Sequence, residues 1–173
     1  EEYLELINQI KKVMPNCSIS QDIISGFPNE TQNDHELTLD LMEKVKYDFG
    51  YMFKYSERPG TLASKKFDDN VSELNKKNRL QEIVDLQQKH SYYRTKSFMG
   101  KIVEVLIEKE SKKSNSQWSG RNQQNTVVVF DKEDYKIGDF VNVLITDCTS
   151  ATLIGNPINY SKKLKNGIIY SNN

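Results

Sequence analysis

The chain has 173 residues, 24 of them basic and 24 acidic, so no global field draws it to nucleic acid or to an anionic membrane. Its two cysteines, Cys17 and Cys148, stand far apart, which excludes a disulfide framework and a paired-cysteine metal site and fits a reducing cytoplasmic setting with both thiols buried. No apolar run reaches the length of a membrane span, and the start, without Met and already in helical pattern at Glu1-Glu2-Tyr3-Leu4, reads as a piece of something longer.

In EEYLELINQIKKVM, Leu4, Ile7, Lys11 and Met14 recur at helical spacing, and Pro15-Asn16 stops them. CSISQDII follows as a short strand ending at Gly26, with the carboxyl of Asp22 buried in its first half. Thr31 reads as an N-cap with Asp34 three residues on, and Leu37, Leu41, Met42 and Val45 mark the buried face of the next helix. DFGYMFKYS returns to an aromatic strand, broken at Arg58-Pro59-Gly60-Thr61. Helix, strand, helix and strand in alternation predict a parallel sheet with covering helices. From Ser72 to Phe98 a long helix is expected, with Leu80, Ile83, Val84, Leu86 and Gln87 inward, Lys76, Lys77, Arg79 and Lys89 mostly elsewhere, and Gly100 closing it. KIVEVLIE, QWSGRNQ, TVVVF, DFVNVLIT and ATLIGN then read as five short strands of a small closed β-barrel. The fold class is thus α/β followed by all-β, and SKKLKNGIIYSNN is a flexible tail.

Two places invite chemistry. In a parallel α/β sheet ligands lie beyond the carboxyl ends of the strands, where Gly26-Phe27-Pro28 stands. Glycine lets a flat ring approach, Phe27 and Pro28 offer apolar faces, and Asp22 can accept hydrogen bonds; an ordinary strand-to-helix turn uses the same residues. Arg58, in the turn after the next strand, has the planar fork that grips carboxylate or phosphate. His35 and His90 fall in helices, surface or half-buried, with no second ligand at metal spacing. In the barrel, Trp118, Arg121, Asn122 and Asn125 bracket two strands, as in small barrels that track a nucleic-acid backbone; a core tryptophan is the competing view. Val71 to Phe98 carries 6 basic and 3 acidic residues, and with Lys112-Lys113 it supplies the local charge that the barrel lacks overall.

The order DIISGFPNET, YMFKYSERPGT, LQQKHSYYRTKSFMGK and QWSGRNQQNTVVVF resembles the C-terminal part of a radical-SAM tRNA methylthiotransferase of the MiaB type, over nearly the whole chain to about Asn156. The resemblance implies that residues 1–90 are the C-terminal portion of a radical-SAM partial TIM barrel with its connecting helix. Residues 93–158 are then a five-stranded TRAM domain that binds RNA, and 159–173 the tail. It implies an enzyme that adds a methylthio group to carbon 2 of dimethylallyl-adenosine next to the anticodon, using S-adenosylmethionine (SAM) and two 4Fe-4S clusters. The expected partners are a tRNA anticodon stem-loop and SAM, with no membrane, a cytoplasmic setting and a monomeric parent.

By the same resemblance Asp22, Gly26, Phe27, Pro28 and Arg58 meet SAM, and Lys101, Arg121 and Asn125 meet tRNA. The cluster cysteines of the family are absent here, so no catalytic or metal residue is assigned and the chain alone is expected to be inactive. Ser119-Gly120-Arg121 followed by Asn125 to Phe130 resembles the dimethylallyl-adenosine branch, whereas the ribosomal-protein branch tends to carry an acidic segment after its Gly-Arg; the threonylcarbamoyl-adenosine and ribosomal-protein branches stay as alternatives. A stand-alone RNA-binding module is the rival reading, and a structural α/β domain with an attached barrel a third.

Overall fold

The computed structural model describes residues 1–158, and the tail expected over 159–173 lies outside them. The elements are α1 (Glu2–Val13), β1 (Ser20–Ser25), α2 (Gln32–Val45), β2 (Phe49–Lys54), α3 (Leu62–Lys66), α4 (Glu73–Lys96) and the strands β3 (Ile102–Ser111), β4 (Ser114–Asn122), β5 (Val127–Asp131), β6 (Phe140–Cys148) and β7 (Thr152–Pro157). They form two compact units, Glu1–Tyr93 and one that begins at Arg94.

In the first unit β1 and β2 pair in parallel, from Ser20 opposite Phe49 to Ser25 opposite Lys54, with α2 as the crossover between them. Alternation along the strands sorts the two faces. Ile23 and Met52 turn toward a core of Ile7, Met42, Val45, Tyr47 and Ile83. On the other face Ile24, Tyr51 and Phe53 remain 59%, 61% and 56% exposed. Asp22 belongs to that open face, opposite Tyr51, so the burial expected for its carboxyl is corrected: Gln21 and Ile23, its neighbours in the pleat, take the covered side.

Helix α2 starts in a capping box. The Asp34 amide donates to the Thr31 hydroxyl at 3.2 Å, and the Thr31 amide donates to the Asp34 carboxylate at 2.9 Å. At its other end Lys11 of α1 donates to the carbonyl of Val45 at 2.6 Å, satisfying one of the orphan acceptors of the last turn. Both histidines are buried, against expectation. His35 meets Glu82 at 2.7 Å and His90 meets Glu43 at 3.2 Å. Each pair links α2 to α4 with the same sequence separation, so the two helices run parallel, as their strands do. The cysteines also depart from expectation: Cys17, in the turn after α1, is exposed, and Cys148, at the end of β6, is half-buried.

The second unit is a closed barrel in the order β3-β4-β5-β7-β6, antiparallel throughout except for β5 beside β7. Closure removes every free strand edge. The inside is filled by Phe98, Val105, Ile107, Val128, Phe130, Val141, Val143, Ile145 and Leu153. A barrel this narrow brings strands very close at two glycines. A β-carbon on Gly120 would strike the carbonyl of Leu106, and one on Gly155 the carbonyl of Leu144. Because backbone cannot move aside as a side chain can, Gly120→Ala and Gly155→Ala are each expected to destabilise the chain by about 1–3 kcal/mol. Denaturant unfolding measures this, and an unchanged midpoint in both variants would contradict it.

Candidate functional site

Beyond Ser25 the ladder continues for one more bond, from the Tyr55 amide to the Ser25 carbonyl at 2.7 Å. The loops after β1 and β2 therefore leave the same end of the sheet. Gly26, Phe27 and Pro28 stand on one, and Arg58 on the other. Gly26 has φ +75, and a β-carbon there would fall within the stem of Lys76. Glycine is thus required by a lysine of this chain, where the sequence reading reserved the space for a ligand ring. Asn29 is also left-handed, with φ 67.

Several polar contacts hold this loop. The Gly26 amide donates to Glu30 Oε2 at 2.9 Å, and Arg79 donates to Glu30 Oε1 at 2.8 Å and to the Glu30 carbonyl at 3.0 Å. Asn29 and Asn70 exchange two hydrogen bonds, at 2.8 and 2.7 Å. Pro28 is buried, while the Phe27 ring stays 40% exposed and meets Tyr55 and Phe67 edge-on at 5.1 and 6.0 Å between centroids.

Beneath the loop, the Lys76 ammonium donates to Asp69 at 2.6 Å and to Glu73 at 3.1 Å. Burial works against that ammonium, but its hydrogen bonds to Asp69 and Glu73 outweigh the cost and hold its pKa above the ordinary value. Glu73 also accepts from Lys54 at 2.5 Å, and the bonds from Lys54 and Lys76 hold its carboxyl below the ordinary value. Lys76 and Arg79 were expected mostly off the buried face; both are buried. The signal that could have found them is that positions 76, 79, 83, 87 and 90 continue one helical stripe through polar residues. Arg58 is exposed, and its carbonyl accepts from the Thr61 amide and hydroxyl at 3.3 and 2.8 Å.

The barrel carries the second site, a cleft of about 390 Å³ on its outer surface. Val127, Val129, Thr152 and Ile154 line it from β5 and β7, and Gln117, Ser119 and Arg121 from β4. Pairing of Ser119 with Val129 and of Val129 with Ile154 aligns these outward residues in one row. Lys109, Lys112 and Lys113 come from the β3–β4 hairpin, so the lining holds four cations against one carboxylate, Glu108.

Arg121 and Asn125 are brought together. Arg121 donates to the Asn125 carbonyl at 2.8 Å and to its side-chain oxygen at 3.1 Å, and lies 3.5 Å from Glu108. Asn125 has φ 61, and Asn122 holds the same turn by accepting from the amides of Gln124 and Thr126. Lys101 precedes β3, five residues from Leu106, the partner of Arg121, which is about 17 Å of strand. It does not line the cleft. Trp118 pairs with Phe130 and packs on the core under Lys132, 4.4 Å above its ring, so the core reading of the tryptophan holds. Sequence reasoning missed Lys109 and the apolar floor, because β5 runs Val127-Val128-Val129 with inward and outward positions alike.

The sequence profile of the TRAM domain matches residues 96–158, which contain all five barrel strands. The barrel is thus similar to a TRAM domain along its whole length. Over 161 residues, 93% of this chain, it is 68% identical to the tRNA-2-methylthio-N(6)-dimethylallyladenosine synthase of Christiangramia forsetii. It is 62% identical over an equal length to the protein of that name in Flavobacterium johnsoniae, and 56% identical over 155 residues, 90% of the chain, to that of Karelsulcia muelleri. The resemblance to the MiaB-type methylthiotransferases therefore holds through both units. The chain spans 34% of the length of each of these relatives.

The TRAM cleft separates residues that build the fold from residues that only line its rim. Arg121→Ala is expected to cost about 1 kcal/mol of stability through its lost bonds to the turn. Lys112→Ala and Lys113→Ala are expected to stay within about 0.5 kcal/mol of the unsubstituted chain. Urea unfolding of the three variants measures both, and equal losses would contradict the distinction.

Proposed function

We propose that this chain works as part of a tRNA methylthiotransferase that places a methylthio group on carbon 2 of dimethylallyl-adenosine next to the anticodon. The observation that carries the reading is the 68% identity, running through both units, to a relative named for that reaction. In this reading residues 1–90 belong to a radical-SAM partial barrel with its connecting helix and residues 93–158 form the RNA-binding TRAM domain. The parent enzyme is monomeric and cytoplasmic. No helix among the described residues is long and apolar enough to cross a membrane.

The rim of β1 and β2 suits a nucleoside. Phe27 offers a ring face, Asp22 stands on the open sheet face as an acceptor for amino or hydroxyl groups, and Arg58 lies at the same end for a carboxylate. If bound there, SAM would supply the methyl group and the radical; Phe27, the exposed residue of the three, would meet its adenosine, while the buried Gly26 and Pro28 set the path of the loop. Iron–sulfur ligands do not fit this chain: Cys17 and Cys148 lie in different units, and no group of three candidate metal ligands occurs among the described residues.

The barrel's part is to hold the anticodon stem-loop. Lys109, Lys112, Lys113 and Arg121 line the cleft as four cations suited to phosphates, beside an apolar floor of Val127, Val129 and Ile154. Asn125 contributes by holding Arg121, and Lys101 extends the basic surface at the far end of β3.

Two experiments test the reading. The complete reading frame containing this chain, expressed in a bacterium stripped of its own methylthiotransferase, is expected to restore the 2-methylthio nucleoside in digested tRNA by mass spectrometry. Persistence of unmodified dimethylallyl-adenosine with folded, cluster-loaded protein would overturn it, and a methylthio group on threonylcarbamoyl-adenosine would move the chain to that branch. For the cleft, Lys112→Ala with Lys113→Ala is expected to weaken binding of the anticodon stem-loop and to flatten the slope of log affinity against log salt by about two. An unchanged slope would remove the cleft from the RNA path.

A further inference from the structure

We infer that Lys76 is a positioning residue that holds the Phe27 ring in the pose that stacks on a nucleoside base; this rests on reading the Gly26–Pro28 loop as a nucleoside-binding rim. The starting observation is a lysine only 1% exposed, the largest of the fully buried side chains. A methionine or leucine would fill the same space without bringing a charge out of water, so the ammonium has work that the stem does not do.

Two contacts define that work. The stem lies against Gly26, the residue just before Phe27, where a side chain would collide with it. The ammonium, clamped by Asp69 and Glu73, sits 5.5 Å from the centre of the Tyr55 ring, and Tyr55 meets Phe27 edge-on at 5.1 Å. Lys76 thus touches both the backbone that precedes Phe27 and the ring that braces it. Phe67 supports Phe27 from a second direction at 6.0 Å. With two left-handed residues, Gly26 and Asn29, flanking Phe27 and Pro28, the loop has an unusual path that needs fixing from outside. Arg79 through Glu30 ties the two ends of the loop, because Glu30 also accepts from the Gly26 amide, and Asn70 through Asn29 fixes its far half. Lys76 fixes the half that carries the ring. What remains open on Phe27 is available to a flat partner.

A ring held by protein contacts loses little freedom when a base stacks on it, so the arrangement raises affinity by pre-organisation. The test uses the full-length enzyme with S-adenosylhomocysteine as probe, its affinity read by calorimetry, and anticodon stem-loop affinity as control. Lys76→Met keeps the stem and removes the ammonium. It is expected to weaken the probe about tenfold, the size of one base–aromatic contact, with RNA affinity unchanged. Phe27→Ala is expected to weaken it similarly. The double variant is expected to bind no worse than Phe27→Ala alone, because Lys76 acts through that ring.

Unchanged affinity in Lys76→Met beside a loss in Phe27→Ala would overturn the inference and leave the rim reading standing. Losses that multiply in the double variant would also overturn it. Unchanged affinity in Phe27→Ala would overturn the rim reading itself. Should Lys76→Met fail to fold, Asp69→Asn, at the outer end of the same ion pair, reads the same coupling: a loss absent in the Phe27→Ala background supports the inference, and an additive one overturns it.

Discussion

A lysine stem crossing a glycine decides how the first unit turns from strand to helix. Because Gly26 has no side chain, α4 can lay Lys76 across the carboxyl end of β1, and because the ammonium then finds Asp69 and Glu73, the charge can stay there. The rest of the rim follows from that approach. Arg79, three residues on, reaches Glu30, which in turn caps the amide of Gly26. Further along α4, Gln87 reaches the carbonyl of Tyr47 and Ser91 that of Asp48, so the same helix also secures the entry to β2. One helix face thereby sets both ends of the parallel pair and leaves the opposite sheet face, with Ile24, Tyr51 and Phe53, uncovered.

The two units solve the exposed-backbone problem in different ways. The barrel closes on itself and has no edge, and its outer row on β4, β5 and β7 lines one cleft together with the basic hairpin. The first unit has two strands only, with one face that leaves Ile24, Tyr51 and Phe53 open. That face and the rim loop share one end of the strands.

Much of this was legible in the sequence because it depends on local rules. The Thr31 and Asp34 capping box, the stop at Pro15 and the β-branched runs of the barrel are set by residues within a few positions of one another, and each element appears within about three residues of its expected bounds. The short α3, begun by Thr61, was not anticipated because five residues carry no period. What the sequence hid was long-range and polar. Lys76, Arg79, His35 and His90 looked like solvated residues; Glu30, Glu82 and Glu43 come from distant parts of the chain to meet Arg79, His35 and His90, and Asp69, seven residues away, meets Lys76. Asp22 was misplaced for a simpler reason: a strand with a covered and an open face alternates, and the pattern does not say which face is which. Arg121 and Asn125 were singled out because they bracket two strands, yet their bond to each other could not be read from spacing.

The central claim, that this α/β rim and TRAM barrel belong to one radical-SAM methylthiotransferase, is tested most directly by the sequence of the gene ahead of the codon for Glu1. The account predicts, in the same frame, a C-x-x-x-C-x-x-C motif preceded by three further cysteines. A start codon immediately before Glu1 would contradict it and leave an RNA-binding protein without radical chemistry.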